Sequence, residues 1–201
     1  MTSAPRPTPL ALTVLALLHY EPLHPYGLQR LIRQWGKDAV INVEQRASLY
    51  RTIERLEAAG LITVRETGRD QQYPERTVYE LTDEGRATAR AWLADMLATP
   101  KNEYPEFPAA LSHLLLFSAD DIAQALETRA AALAARLSSL EEGIRNQAAA
   151  GLPRIAGLED EYLRAVLKAE LDWVRATAAE MRDGRLSWNA DELREFALRQ
   201  G

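Results

Sequence analysis

Two arginines four residues apart, Arg51 and Arg55, follow Ser48 and Tyr50 in the run Ser48-Leu49-Tyr50-Arg51-Thr52-Ile53-Glu54-Arg55-Leu56. Residues i and i+4 share one face of a helix, so both guanidiniums leave the same side. A guanidinium is a flat fork of donors that fits a phosphate or the acceptor edge of guanine. Ser48 and Tyr50, near the start of such a helix, can hydrogen-bond a phosphate beside its N-terminus. The plainer alternative is that Arg51 and Arg55 only solvate an exposed face beside Glu54 and Glu57, with Tyr50 half-buried next to Leu49. Further along, Arg69, Gln71, Gln72 and Arg76 sit in the polar stretch Thr67 to Arg76, a set of donors suited to backbone or minor-groove contact, although Asp70 and Glu75 offset part of the charge. Tyr26 either donates to a phosphate or packs against the preceding helix. Trp92 and Trp173 either stack on an aromatic ligand at a subunit contact or simply fill core and interface.

Other chemistries find little support. The chain has no cysteine, which removes disulfides, thiolate nucleophiles and thiolate metal sites, and suits a cytoplasmic setting. His19, His24 and His113 lack the spacing of metal ligands, so neither a metal nor a cofactor is expected. There is no Gly-rich phosphate loop and no defensible Ser/His/Asp set, so enzymatic activity is not expected. The longest apolar run, Leu10 to Leu18, is too short to span a bilayer, for which about 20 residues are needed. It follows a tail with one basic residue, Arg6, and no small-residue cleavage site follows it, so neither a membrane span nor a signal peptide is expected. Net charge is −5, yet residues 1–100 carry 12 basic and 12 acidic side chains, against 12 and 17 in residues 101–201. A neutral half whose arginines cluster can still present a positive patch.

These residues need elements to hold them. Thr8-Pro9 reads as an N-cap and first helical position, followed by Leu10, Val14, Leu17 and Leu18 at helical spacing. A second helix starts near Pro25 with Leu28, Leu31 and Ile32 inward and Gln29, Arg30 and Arg33 outward. A third runs from about Ala47 to Ala59, burying Leu49, Ile53 and Leu56. Strand patterns at Leu61 to Arg65 and Thr77 to Leu81 flank the polar stretch, and Thr82 caps a fourth helix ending before Pro100. Three helices, a hairpin and a helix are the order of a winged helix-turn-helix. The expected fold is therefore mostly α, with a winged helix-turn-helix of three helices and a two-stranded wing over 1–100, then an all-helical, coiled-coil-like dimerisation domain over 101–201.

In that second half Ser118 to Asp121 has capping-box spacing. Leu126, Ala130, Leu133, Leu137, Leu140 and Ile144 then form an a/d seam. After Gly151 and Pro153, a helix from about Leu158 to Arg182 carries two apolar rows. One is Tyr162, Val166, Ala169, Trp173 and Ala176; the other is Leu163, Leu167, Leu171 and Val174. One seam can pack on the preceding helix and leave another for a second subunit, so a homodimer is expected, with Leu126, Leu133, Leu137, Leu140, Tyr162, Val166 and Trp173 as its contact residues.

Three motifs together resemble the PadR-type transcriptional regulators: His24-Pro25-Tyr26-Gly27; Ser48-Leu49-Tyr50-Arg51 through Arg55-Leu56-Glu57 to Gly60-Leu61-Ile62; and Tyr79-Glu80-Leu81-Thr82 with Glu84-Gly85-Arg86. The resemblance covers about residues 10–97, and Glu170-Leu171-Asp172-Trp173 is more loosely similar to the helical domain of long members. It implies a homodimeric winged-helix protein that binds a palindromic double-stranded operator, usually as a repressor, with release by a small aromatic effector in some members. Pro25 stands where glycine is commoner in that family. The competing expectation is a winged-helix adaptor whose third helix and hairpin hold a protein rather than DNA, a reading the acidic total favours slightly, while Arg51, Arg55 and the resemblance favour DNA more strongly.

Overall fold

The computed structural model describes residues 5–37, 41, 46–68, 76–189 and 199. The chain divides into two compact units, Met1–Asn102 and Glu103–Gly201.

In the first unit, helix α1 (Pro9–Leu18) starts where Thr8 Oγ1 accepts from the Ala11 N–H at 3.2 Å and Pro9 presets the first turn. The helix is apolar on nearly every side because it is the centre of the unit, and Val14 and Leu15 are fully buried. Helix α2 (Pro25–Gln34) is capped by His24, whose Nδ1 accepts from the Gly27 N–H at 2.7 Å. Pro25, unusual at its place, is thus accommodated as a first helical residue. Leu28 and Ile32 of α2 are buried as expected, but Gln29 is buried as well rather than outward, because it flanks that stripe one 100° step from Leu28.

Helix α3 (Arg46–Ala58) sends Leu49, Ile53 and Leu56 into the same core. It ends on Gly60 at φ +73°, with Gly60 N–H donating to Glu57 O at 2.8 Å and Leu61 N–H to Leu56 O at 3.0 Å. That left-handed residue and its two reversed bonds turn the chain from helix into strand. Strands β1 (Ile62–Gly68) and β2 (Arg76–Leu81) form an antiparallel ladder with Ile62 opposite Leu81 and Val64 opposite Tyr79, a bulge between Val64 and Glu66, and Gly68 opposite Arg76. The ladder therefore extends beyond the strands expected, taking in Thr67, Gly68 and Arg76 from the polar stretch. Leu23 and Tyr79 exchange both backbone bonds at 3.0 Å, adding a one-residue third strand at the β2 edge.

Helix α4 (Asp83–Ala98) begins at a tightly knotted corner. The Thr82 hydroxyl accepts from Gly85 N–H at 3.0 Å and shares its own proton between Gly60 O at 2.8 Å and Leu61 O at 3.0 Å. A Cβ on Gly85 would fall 2.0 Å from Leu61 O, so only glycine lets α4 come this close.

The second unit opens with the short helix α5 (Glu106–Leu111) and a 3-10 turn at Leu114–Leu116. Its frame is an antiparallel pair, α6 (Ala119–Ala149) and α7 (Leu158–Arg182). The capping box forms: Ser118 Oγ accepts from Asp121 N–H at 3.2 Å, and the Asp121 carboxylate accepts from Ser118 N–H at 3.3 Å. The core joins Ile122, Ala123, Leu126, Ala130 and Leu133 of α6 to Leu167, Leu171, Val174, Ala178 and Met181 of α7, with Leu137 and Leu140 packed at its margin.

This pairing gives some of the expected contact residues a place within the subunit. Leu126 and Leu133 are buried inside the pair, and Leu137 and Leu140 lie against the same core, because the α6 row is what covers the Leu167, Leu171 and Val174 row of α7. The other α7 row stays uncovered, with Tyr162 69%, Val166 45% and Trp173 47% exposed. Among the described residues no helix is long and apolar enough to cross a membrane.

Candidate nucleic-acid interface

Burial of Leu49, Ile53 and Leu56 fixes the rotation of α3 and so decides what its other face presents. Arg51, Glu54 and Arg55 are exposed and Ser48 is half-buried. The four line an open depression of about 430 Å³. The arginines are folded back along the helix: Arg51 Nε donates to Ala47 O at 3.2 Å and Arg55 Nε to Arg51 O at 3.3 Å. Among the described residues neither guanidinium is in an ion pair, so Glu54 and Glu57 do not neutralise them by contact. Tyr50 is 50% exposed on the same helix.

Tyr26 is also outward, 62% exposed, its ring stacked on His24 with centroids 6.0 Å apart and planes at 22°. Of the expected wing residues, Arg76 belongs to β2, while Arg69 and Gln72 lie outside the described residues. In the strands, Arg65 approaches Glu80 at 4.0 Å. The Tyr79 phenol is held above its ordinary pKa, chiefly by burial and then by Glu57 and Glu54 of α3, which make a phenolate there unfavourable. Tyr79 therefore stays a neutral donor.

Sequence reasoning passed over Thr52. It is 1% exposed, and its hydroxyl donates to Ser48 O at 2.8 Å while accepting from Arg55 Nη2 at 3.2 Å. The available signal was its spacing, four after Ser48 and three before Arg55, which is that of a helical neighbour to both.

The two tryptophans expected at an effector site fall in different units. Trp92 is half-buried against the core of the first unit. Trp173 meets Phe107 edge-on, centroids 6.1 Å apart, and Phe107 in turn lines a largely apolar cavity of about 410 Å³ walled by Leu111, Leu114, Phe117, Ile122 and Leu126. Arg129 lines it as well, its guanidinium carbon 3.6 Å from the Phe107 centroid and its donors on Glu170. Phe107 and Arg129 carried no pattern in the sequence, since an isolated aromatic and a helix arginine are commonplace. Among the described residues no group of three or more His, Cys, Asp or Glu side chains is placed to hold a metal ion.

Residues 14–91, which span α1 through most of α4, match the transcriptional regulator PadR-like family. That stretch is similar to a PadR-like domain. Solved structures extend the likeness beyond that domain. Bacillus subtilis PadR in complex with operator DNA is 19% identical, with a TM-score of 0.72 over 86% of this chain and 98% of that one. The same protein in complex with p-coumaric acid gives 0.71 at 19% identity and the same coverage. The Vibrio cholerae virulence activator AphA gives 0.63 at 19% identity, covering 87% of this chain and 98% of its own. These likenesses establish the fold: a winged helix-turn-helix followed by long helices. No curated protein sequence matches the chain. Within the PadR-like domain, α3 is the second helix of the helix-turn-helix, the position that enters a major groove in such folds.

Proposed function

We propose that this protein is a DNA-binding transcriptional regulator that recognises an inverted-repeat operator as a homodimer and represses transcription until a small aromatic molecule releases it. One observation carries the reading: on the second helix of a helix-turn-helix, Arg51 and Arg55 stand one turn apart, exposed and, among the described residues, in no ion pair. Ser48, Tyr50 and Tyr26 are the supporting hydroxyls for phosphate, and Arg69, Gln72 and Arg76 are assigned to the wing contact. The exposed row Tyr162, Val166 and Trp173 supports self-association, because it repeats at helical spacing on the side of α7 turned away from α6.

The cavity beside Phe107 supports an aromatic effector, since its walls are apolar and its volume lies in the range of small-molecule sites. It replaces Trp92 as the candidate, with Trp173 acting through Phe107. Bacillus subtilis PadR has been solved in complex with operator DNA and with p-coumaric acid, which supports both halves of the proposal.

Selection of bound genomic fragments, starting with the promoter of its own gene, tests the reading. The expected product is an inverted repeat with half-site centres about 10 bp, or a multiple of that, apart. Binding should weaken steeply with salt as phosphate contacts release counterions. A consensus without dyad symmetry, or binding indifferent to salt, would set the proposal aside, and a salt-insensitive protein partner would favour the adaptor instead.

A further inference from the structure

We infer that Thr52 is a specificity-determining positioning residue, which holds Arg55 as a preformed two-pronged reader while leaving Arg51 a looser contact. The inference rests on the reading of α3 as the DNA-contacting helix and says which of its arginines discriminates between bases.

A guanidinium has five N–H donors in one plane. On Arg55 two are already engaged: Nε on Arg51 O at 3.3 Å and one Nη2 hydrogen on Thr52 Oγ1 at 3.2 Å. Both partners bind along one side of the plane, so the remaining donors lie on the Nη1 and Nη2 edge. That edge is the one that grips two acceptors at once, such as O6 and N7 of guanine. Among the described residues Arg51 has only its Nε engaged, and no side-chain oxygen holds its Nη atoms.

Thr52 is suited to this task by its burial. At 1% exposure its hydroxyl cannot swing into water, and its proton is committed to Ser48 O at 2.8 Å. What it offers Arg55 is therefore always a lone pair in a fixed place. Thr is otherwise an indifferent helix residue, and valine would fill the same volume in that core position with better apolar character. The hydroxyl is the part that needs a reason, and Arg55 supplies it.

Freezing a flexible side chain before binding avoids an ordering cost that corresponds to about a three- to tenfold change in affinity. The test uses the full-length protein and the selected operator, with every base pair of one half-site varied in turn. Arg55→Ala first identifies the base pair at which preference is lost. At that base pair Thr52→Val should reduce discrimination about three- to tenfold, with the salt dependence of binding unchanged, and Thr52→Ser should restore it. If Thr52→Val does not fold, Thr52→Ala answers the same question, since it also removes the hydroxyl and leaves Arg55 in place; it should level the same position. Full discrimination in Thr52→Val, or in Thr52→Ala, overturns the inference, as does an equal loss of affinity for every sequence, which would mark Thr52 as structural only. If Arg55→Ala binds the operator as tightly as the parent, the DNA reading of α3 has failed, and this inference falls with it.

Discussion

Replacing Trp173 by glutamate should turn a dimer into a folded monomer. About half of the indole is exposed on the single chain, 47%, on the α7 row that α6 leaves uncovered. Half of the roughly 250 Å² that a tryptophan can bury is ~120 Å², which at ~25 cal/mol/Å² is worth ~3 kcal/mol when a second subunit covers it. A two-fold interface contains the residue twice, so the loss is ~6 kcal/mol, or about four orders of magnitude in the dimer dissociation constant. The fold should survive, because Leu167, Leu171 and Val174 point into the α6 pair and are untouched; the local loss is the edge-on contact with Phe107, about 1 kcal/mol. Leu133→Glu makes the contrast, since it buries a charge within the pair and should unfold the second unit rather than dissociate anything. Sedimentation velocity at micromolar concentration, with circular dichroism on the same samples, reads both. A Trp173→Glu protein that still sediments as a dimer would refute the assignment of this face, and a monomeric parent would refute dimerisation altogether.

Arg51→Ala should weaken operator binding by about ten- to a hundredfold per half-site while circular dichroism is unchanged, and should lower the slope of log affinity against log salt if its contact is a phosphate. Gly85→Ala should cost about 3 kcal/mol, because its methyl would sit 2.0 Å from Leu61 O and 2.8 Å from a Leu81 methyl; a melting curve should shift down by at least ~10 °C. In acid the second unit should lose stability: Ser118 holds the Asp121 carboxyl below its ordinary pKa, as Arg182 does Glu127 and Arg154 does Glu161. For depressed carboxyls the contribution is present above the ordinary value and disappears as pH falls through the folded one, so Asp121→Asn should lower the melting temperature at neutral pH and flatten its acid dependence.

Local signals were legible in the sequence wherever one side chain settles its own backbone. Thr8-Pro9 and Ser118 with Asp121 are caps whose partners lie within a turn, and α7 spans Leu158 to Arg182 as its apolar rows imply. Gln29 and the α6 seam were less legible, because periodicity gives a direction on a helix and not the element lying there. Leu126 and Leu133 look equally ready for a second subunit or for α7, and only the fold back through Gly151 and Pro153 decides. In the candidate site, Arg51 and Arg55 were readable from spacing and charge. Thr52 was not, since its hydroxyl acquires meaning from burial and from the way the Arg55 side chain doubles back. The Phe107 cavity assembles residues from α5, the 3-10 turn and α6, a convergence that no single stretch of sequence announces.

The corner at Thr82 has a mechanical consequence. One hydroxyl and one backbone amide join the first turn of α4 to Gly60 and Leu61, the residues that end α3 and open β1, and Gly85 removes any cushion between them. The joint behaves as a knuckle rather than a hinge: α4 cannot roll about its axis without dragging the tail of α3 and the root of the hairpin with it. A rotation of the first turn of α4 would therefore be felt at Gly60, where the helix that carries Arg51 and Arg55 ends.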